Sequence, residues 1–317
     1  MNTYEKPLKV LVCGTNFGRV YLKGLERCGN KFKIAGIFSH GSTQSKQEAE
    51  KYGVPLITDL NEVSKKDFDM ACVVIRSTAV GGKGTEIKEV VYNDFYIGND
   101  CDVVIVAGCG IHNSGALDSQ HDGIHRFFVG RNAKVKYVEK HYGTGEGYGK
   151  RILNPVTEVY QEEGSYVEME MVQIKGVDST IRTSKAVLSK GAKLVIKERL
   201  MTHGKQKATS IYEVKLKGEF SNADVISRSV AKDYSNQSFE ANIIGANICN
   251  GHAECDAIIM DQARVLSIPK LDARHVDAML IHEAAIGKIA GEQLIKLMTL
   301  GLSEKEAEEC IVNGFLK

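Results

Sequence analysis

The segment GGKGTEIKEVVYNDFYIG, residues 81 to 98, divides the chain into two parts with different sequence patterns. Before it, short apolar runs alternate with stretches of helical periodicity. After it, β-rich segments follow one another, and helical periodicity is almost absent until the C-terminal region. Because 317 residues are enough for two domains, the sequence predicts an α/β segment followed by a mainly β part.

The composition is that of an ordinary globular protein, with 43% hydrophobic and 26% charged residues. The net charge of +1 provides no basic surface of the kind that binds nucleic acid or anionic membranes. The longest apolar runs, such as DVVIVAG from Asp102, are shorter than the roughly 20 residues that span a bilayer. The N-terminus lacks a secretion signal and the eight cysteines form no CxxC pair, which indicates reduced thiols and a cytoplasmic location.

The first part of the chain has the alternation that is typical of a parallel sheet covered by helices. LKVLVCG is a buried strand, and TNFGRVYLKGLERCG continues as a helix that Gly29 ends. FKIAGIFS predicts a second strand, and STQSKQEAEKYG predicts a second helix with Ser42 or Thr43 as its N-cap. Two further strands follow in VPLIT and DMACVVIRS.

The turn after the first strand, CGTNFG, is an incomplete dinucleotide-binding motif. Its candidate cofactor contacts are Gly14, Thr15, Phe17 and Gly18, and Thr15 stands where a complete GxGxxG motif has its middle glycine. In such a motif the glycines allow backbone N–H groups to approach a pyrophosphate. An alternative interpretation is that Gly14 only permits a tight turn from strand to helix, and the motif leaves both open.

The end of the second strand bears on the choice of cofactor. An NAD site places an acidic residue here to bind the ribose hydroxyls. The segment FSHGSTQSK contains no acid, but it supplies Ser39, Ser42 and Lys46. If a cofactor binds, the sequence therefore favours NADP, with these side chains near the additional phosphate.

Residues 9 to 85 contain the motifs VLVCGTNFGRVYL, GIFSHGS and VVIRSTAVGGKGTE. Through them the segment resembles the N-terminal domain of the thiazolinyl imide reductases, NADPH-dependent enzymes related to the Gfo/Idh/MocA oxidoreductases. The resemblance ends near Ile87, before the rest of the Rossmann sheet and the substrate domain of those enzymes. Hydride transfer requires a second part of the protein that holds the substrate against the nicotinamide. We therefore interpret residues 1 to 88 as an incomplete Rossmann-like segment.

Six similar segments recur in the second part, each introduced by glycine, asparagine or a small polar cluster. They are NDCDVVIVAG, RNAKVKYVEK, EEGSYVEMEM, SKGAKLVIKE, FSNADVISRS and HAECDAIIMD. The steps are 27 to 32 residues when the equivalent positions are Asp102, Lys134, Tyr166, Lys193, Asp224 and Cys255. Steps of this length predict coils of a β-helix, with two short strands or turns in each coil, stacked on one continuous core. A Greek-key β-sandwich is the competing architecture, which the repetition makes less favourable.

Helical periodicity returns at the C-terminus. EAAIGKIAGEQLIKLMTLG places Ile286, Ile289, Leu294 and Leu297 at near-helical spacing and ends at a glycine. SEKEAEECIVNGF then begins with a capping box formed by Ser303 and Glu306. The pattern predicts a helical hairpin within residues 282 to 317, which could cover the end of the solenoid or serve as a docking surface.

Two groups of side chains offer metal or sulfur chemistry. Cys255, His282 and Glu283 are a thiol, an imidazole and a carboxylate, the side chains from which iron sites are made. The alternative is structural: a buried cysteine, a hydrogen-bonded histidine and a glutamate that leads into the helix. The second group, in GCGIHNSGALDSQHDGIH, contains Cys109, His112, His121 and His125. Gly123 lies between its last two histidines, and we interpret this group as a structural loop.

Residues 89 to 317 contain the motifs YNDFYIGNDCDVVIVAGCGIHN, QHDGIHRFFVG, RILNPVTEV, MVQIKGVDSTIR, DVISRSVAKD, GHAECDAIIMD and LIHEAAIGKIAGEQLIKLMTLGLSEKEAEECIVNGFLK. Through them the second part of the chain resembles the SufB/SufD family of iron–sulfur cluster assembly scaffolds. The resemblance implies a right-handed parallel β-helix whose C-terminal helices dock on the SufC ABC-type ATPase, and which pairs with a second scaffold subunit as a homo- or heterodimer.

The same resemblance implies roles for three residues. Cys255, in ECDAII, matches the cysteine that handles sulfur or the nascent cluster, and His282 and Glu283, in IHEAA, match the histidine and glutamate beside it. The implied cofactor is a transient iron–sulfur cluster. The cysteines of an upstream sulfur path cannot be assigned from the resemblance.

These observations favour a cytoplasmic scaffold for iron–sulfur cluster assembly that is not itself an enzyme. The expected organisation is a partial nucleotide-binding segment at 1–88, a β-helix scaffold at 89–281 and a helical docking region at 282–317. An NADPH-dependent imide reductase-like oxidoreductase is the first alternative, and an inactive fusion is the second. Neither nucleic acid nor a membrane is expected as a partner.

Overall fold

The structure is a computed structural model that describes residues 6–15, 18–63, 67–73, 80–81 and 86–317. The chain divides into two compact units. The first consists of residues 1–78 together with the short pieces 103–107 and 136–138, and the second contains the remainder. No helix in the described part of the chain is long and apolar enough to cross a membrane.

The N-terminal unit contains a four-stranded parallel sheet with the strand order β3-β2-β1-β4. Its elements are β1 (Leu8–Cys13), α1 (Gly18–Arg27), β2 (Phe32–Phe38), α2 (Thr43–Tyr52), β3 (Leu56–Ile57), a 3₁₀ turn (Leu60–Glu62) and β4 (Met70–Val73). This order is the first part of the 3-2-1-4-5-6 order of a Rossmann sheet. The prediction of an incomplete Rossmann-like segment is therefore confirmed.

Burial against the sheet holds the two helices of this unit in place. Val10, Val12 and Ile37 in the sheet are fully buried with Leu22 of α1. Complete burial of each such side chain contributes about 1.5–3 kcal/mol. The N-cap of α2 is Ser42, whose side chain accepts a hydrogen bond from the backbone N–H at position 45, so the first of the two predicted caps is used.

The second unit is a solenoid in which every coil contributes a strand to each of two sheets, here named sheet I and sheet II. Sheet I contains β6 (Ile87–Ile97), β8 (Ser119–Val129), β10 (Arg151–Leu153), β11 (Val156–Gln161), β13 (Ser179–Leu188), β15 (Lys207–Leu216), β17 (Asn236–Gly245) and β19 (Arg264–Ala273). Sheet II contains β5 (Val80–Gly81), β7 (Asp102–Asn113), β9 (Lys134–Thr144), β12 (Tyr166–Lys175), β14 (Lys193–Thr202), β16 (Ser221–Ala231), β18 (Cys249–Ile259) and β20 (Ala278–Gly287).

Alternation along each strand creates an interior between the two sheets. In β12 the inward side chains Val167 and Met169 are fully buried and pair with Leu194 and Ile196 of β14. Each coil therefore places apolar side chains directly on those of its neighbour, which no single coil could bury alone. The pairs within both sheets are parallel, and the predicted parallel β-helix is confirmed.

The corner that leads into sheet II has the same backbone conformation in successive coils. Five residues there have positive φ, namely Asp100 (56°), Asn132 (53°), Gly164 (68°), Gly191 (63°) and Phe220 (60°). Each donates its N–H to a carbonyl of the next coil, at distances of 2.7–3.0 Å. Glycine, asparagine and aspartate tolerate this conformation best, which explains the glycine and small polar residues before the predicted repeats.

The predicted equivalence of the repeats is only partly correct. Tyr166 pairs with Lys193 as predicted, but Lys193 pairs with Asn222 and not with Asp224. Asp224 in turn pairs with His252 and not with Cys255. Coils in this region differ in length at the corners. The alignment of similar sequence segments therefore departs from the observed strand register by two or three residues.

The last coil extends further than its sequence pattern indicates. Residues 278–287 form β20, which pairs with β18 along its whole length. Ile286 is therefore in a strand, and Ile289 precedes the first of the two C-terminal helices. Strand pairing overrides the near-helical spacing here. The two predicted C-terminal helices are α3 (Gly291–Thr299) and α4 (Glu304–Phe315), and they contact each other. The capping box of Ser303 and Glu306 is confirmed.

Candidate functional site

Cys255 lies on β18 with its side chain inside the solenoid, where it is 1% exposed. Its neighbours in register are Ser227 on β16 and Ala284 on β20. Burial raises the pKa of the thiol to about 11, although a hydrogen bond with Ser267 acts in the opposite direction. The side chain is therefore a protonated thiol at neutral pH, and a metal or sulfur group that binds it must displace the proton.

His282 lies on the interior face of sheet II, as Cys255 does. It lies on β20 opposite Ala253, two residues before the position opposite Cys255. Because side chains two residues apart share one face of a strand, the two side chains belong to the same face in neighbouring coils. The Nε2 atom of His282 is buried and has no hydrogen-bond partner among the described residues.

Glu283 lies on the opposite face of β20. Its side chain is 68% exposed, and its Oε2 atom lies 3.8 Å from Nε2 of His252 on the outer surface of sheet II. The structure thus places Cys255 and His282 on one face and Glu283 on the other. The sequence predicted these three residues as one group, but period-two alternation assigns Glu283 to the outer face.

A buried polar cluster, which was not predicted from the sequence, lies in the same interior. Arg182 on β13 donates to Oε2 of Glu139 through Nη1 and contacts Nδ1 of His141 through Nη2, both at 2.9 Å. Its Nε lies 3.5 Å from Oε1 of Glu198 on β14. All four residues are at most 4% exposed. Buried charges require partners, and here one guanidinium lies between two carboxylates.

The charge states of this cluster follow from its contacts. Burial acts to raise the pKa of Glu139, but the adjacent His141 and Arg182 hold it well below its ordinary value, so the carboxylate is ionised. Burial lowers the pKa of His141 despite the neighbouring glutamate, so the imidazole is neutral. Because Arg182 donates to Nδ1, the proton of His141 belongs on Nε2, which faces Oε1 of Glu139 at 3.1 Å.

Serine hydroxyls connect this cluster to the region of Cys255. Glu198 accepts hydrogen bonds from Ser210 at 2.6 Å and from Ser227 at 2.8 Å. Ser227 is the residue directly opposite Cys255 on the neighbouring strand. Polar side chains therefore continue through the interior from Arg182 to the residue opposite the cysteine.

Cys109, Glu139 and His141 also bring three possible ligand atoms within 4.8 Å of one another. Burial and the carboxylate of Glu139 raise the pKa of Cys109 to about 12. Arg182 already uses Nδ1 of His141 and one oxygen of Glu139, and its positive charge opposes a cation. The arrangement satisfies buried charges internally and does not fit a metal ion.

The interpretation of residues around Gly123 as a loop is wrong. They form strand β8, in which His121 and His125 are buried and face the interior. A Cβ atom at Gly123 would lie 2.8 Å from Nε2 of His125, so the missing side chain provides space for the imidazole. His112 lies on the outer side of β7, exposed and 3.0 Å from Thr144.

Three of the predicted cofactor contacts, Thr15, Ser39 and Ser42, lie around Ser45, a residue that the sequence analysis did not include. Its hydroxyl lies 2.8 Å from that of Thr15 and 2.7 Å from that of Ser42, and it also contacts Ser39. Gly14 has φ of 90°, which glycine adopts without strain. Gly18 begins α1 and Lys46 is exposed on α2, whereas Phe17 lies outside the described residues.

Two family models match the chain. The family described as "SUF system FeS cluster assembly, SufBD core domain" matches residues 96–315. The family described as "Oxidoreductase family, NAD-binding Rossmann fold" matches residues 8–96. Both resemblances identified from the sequence are therefore confirmed at the level of the family.

Curated relatives agree with the larger match. An iron–sulfur cluster assembly SufBD family protein of Archaeoglobus fulgidus is 31% identical over 233 residues, which are 73% of this chain and 61% of that protein. A relative of the same description from Methanocaldococcus jannaschii is 29% identical over 232 residues, 73% of this chain and 72% of the relative. The chain thus spans less than two thirds of the Archaeoglobus protein. Because the core-domain family covers most of the chain, the chain belongs to the SufBD family of iron–sulfur cluster assembly proteins.

Proposed function

We propose that the chain is a cytoplasmic scaffold subunit that holds a nascent iron–sulfur cluster and is not itself an enzyme. The observation that carries the proposal is the position of Cys255 and His282 on one interior face of neighbouring strands, next to the end of the solenoid. Thiolate and imidazole are both ligands of iron in proteins. The cluster is the cargo of the scaffold, and Cys255 and His282 are its proposed ligands.

Glu283 has a different place in this proposal, because it lies on the outer face of β20. β20 is the terminal strand of sheet II, and its outward side chains Met279 and Ile281 are exposed. A terminal strand has a free row of backbone N–H and C=O groups that can pair with another chain. We propose that a second SufB/SufD-type subunit, identical or related, covers this edge and brings its own side chains close to His282 and Glu283.

The C-terminal helices are the proposed docking site for a SufC-like ATPase. Ile295, Met298 and Leu300 are exposed, and α3 buries none of its residues. Exposed apolar side chains on a short helical hairpin favour contact with a partner groove. This assignment and the boundaries 1–88, 89–281 and 282–317 remain proposals. The boundary at 88/89 lies within the continuous strand β6.

A second candidate function applies to the N-terminal unit, which we propose to be a nucleotide-binding module. β1 and β4 are neighbours, so their carboxyl ends form the switch point where open α/β sheets bind ligands. Hydroxyls of Thr15, Ser39 and Ser42 lie at this edge with Lys46 nearby in sequence, which favours NADP. Reductase activity would also need a substrate-binding domain, and the solenoid does not resemble the substrate domain of the reductases. An inactive fusion is the remaining alternative.

The decisive experiment compares Cys255→Ser with Cys249→Ser after anaerobic co-expression with a SufC-like ATPase. Both cysteines lie on β18, and both are at most 2% exposed. We expect iron and acid-labile sulfide to fall at least tenfold in Cys255→Ser and to remain near the wild-type amount in Cys249→Ser. Equal iron and sulfide in the two variants would contradict the assignment of Cys255.

A further inference from the structure

The outer face of sheet II carries an unusual group of side chains close to its terminal strand. Asp224 on β16, His252 and Glu254 on β18, and Glu283 on β20 all lie on this face. We name these four residues the outer carboxylate–histidine cluster. One ligand atom from each of His252, Glu254 and Glu283 lies within 4.8 Å of the other two.

Asp224 lies beside the imidazole of this cluster. Its Oδ1 atom lies 3.4 Å from Nδ1 of His252, and the two residues are directly opposite in the strand register. A proton held on Nδ1 next to this carboxylate would leave the lone pair of Nε2 free for a ligand. Carboxylates hold metal-binding histidines in the required tautomer in this way.

The distances fit an ion better than a direct hydrogen bond. Nε2 of His252 lies 3.8 Å from Oε2 of Glu283, which is too long for a hydrogen bond. Two ligand atoms that are each about 2.0–2.2 Å from one metal ion lie roughly 3 to 4 Å apart. The space between His252 and Glu283 therefore matches the separation of neighbouring ligands around a single cation.

The electrostatics of the face also favour a cation. Glu254 and Glu283 are directly opposite on neighbouring strands, an arrangement that is unfavourable for two like charges. The nearby cation is Arg228, whose Nη2 is 4.0 Å from Glu254 on the side of β16. A divalent ion between the carboxylates would remove their repulsion.

We propose that His252, Glu254 and Glu283 bind a first-row divalent cation, with Asp224 as the positioning residue for His252. One imidazole and two carboxylates form a nitrogen–oxygen ligand set, which suits Fe²⁺, Mn²⁺, Co²⁺ or Zn²⁺. Cys255 is next to Glu254 in the sequence but points into the interior, so no thiolate takes part. This site goes beyond the proposed scaffold function and does not depend on it.

Titration of the chelator-treated full chain with Co²⁺, followed by visible absorption, tests the proposal. We expect one equivalent of Co²⁺ to give ligand-field bands without the near-ultraviolet charge transfer of a cobalt–thiolate bond. His252→Ala and Glu254→Gln should each weaken binding at least tenfold, and Asp224→Asn should weaken it about 10- to 100-fold. The matched control is His275→Ala, since His275 is likewise near a carboxylate, 3.9 Å from Asp277, but in a turn.

Three results would overturn the proposal. The first is an absence of Co²⁺ bands, which would identify the face as a simple ion pair of His252. The second is strong thiolate charge transfer, which would place the metal at a cysteine. The third is wild-type affinity in Glu254→Gln with circular dichroism that shows an intact fold. Cluster retention by Cys255 is measured separately, by iron and sulfide in Cys255→Ser and Cys249→Ser, so failure of this site can be distinguished from failure of the scaffold proposal.

Discussion

At the scale of single residues, Arg182 organises the polar interior of the solenoid. It contacts Glu139, His141 and Glu198, which come from two strands of sheet II, while Arg182 itself belongs to sheet I. Such an ion cluster does not necessarily stabilise the fold relative to an apolar core. Loss of one member is nevertheless costly, because the remaining charges are buried without a partner.

Arg182→Met is expected to lower the free energy of unfolding by about 3–5 kcal/mol, because Glu139 and Glu198 would lose their cation in the interior. The matched control is Arg199→Met, which removes a pair with Glu170 at 2.9 Å where the arginine side chain is 28% exposed. The control should cost about 1 kcal/mol or less. Urea denaturation of both variants measures the difference, and similar losses would show that the interior cluster does not depend on Arg182.

At the scale of elements, the corners of the coils determine which residues can begin a strand. Four of the five corner residues with positive φ before sheet II are glycine, asparagine or aspartate. Phe220 is the exception, with φ of 60° and a side chain that is 61% exposed. A left-handed conformation costs most residues about 1–2 kcal/mol, so this corner is strained.

Phe220→Asn is expected to stabilise the solenoid by up to about 1 kcal/mol, because asparagine tolerates positive φ and the phenyl ring is largely exposed. Asn132 occupies the equivalent corner of another coil with φ of 53°. The control Phe220→Ala removes the ring but keeps the Cβ strain, and it should give no gain. Thermal and urea unfolding measure both changes, and equal stability of the two variants would exclude backbone strain at this corner.

At the scale of the whole molecule, the chain joins two units for which we propose ligands of different kinds. The N-terminal unit has the strand order and glycine turn of a dinucleotide site, while the solenoid has an interior thiol and an exposed terminal strand. Residue 96 is common to the two family matches.

The full chain is expected to bind NADPH more tightly than NADH, because the proposed cofactor site contains Ser39, Ser42 and Lys46 and no acidic residue at the end of the second strand. We expect no imine reduction, because the resemblance to the reductases ends before their substrate domain. Gly14→Ala should weaken binding at least tenfold, since φ of 90° is unfavourable once a Cβ atom is present. Gly24→Ala is the matched control, because a Cβ atom there meets nothing within 4 Å. NADPH fluorescence measures both, and equal affinity in the two variants would exclude the turn as a cofactor site.

Several features of the fold and site were predictable from the sequence because they depend on local chemistry. Strand–turn–helix alternation identified β1, α1, β2 and α2, and recurring β-rich segments identified the solenoid. The capping box of Ser303 and Glu306 requires only residues in one turn of helix. Cys255 and His282 are candidate ligands from their motifs alone, and the structure places both on one interior face.

Other features were decided only by the tertiary structure, because they depend on residues far apart in sequence. Register between coils assigned Glu283 to the outer face with His252, and strand pairing extended β20 to Gly287 against its helical spacing. The interior ion cluster joins Glu139, Arg182 and Glu198, whose separations match no local motif. The sequence by itself thus determined the α/β character of the first part, the solenoid of the second, the C-terminal helices and the family that the chain resembles. Tertiary packing decided which side chains meet, since in a solenoid side-chain contacts are set by the stacking of neighbouring coils.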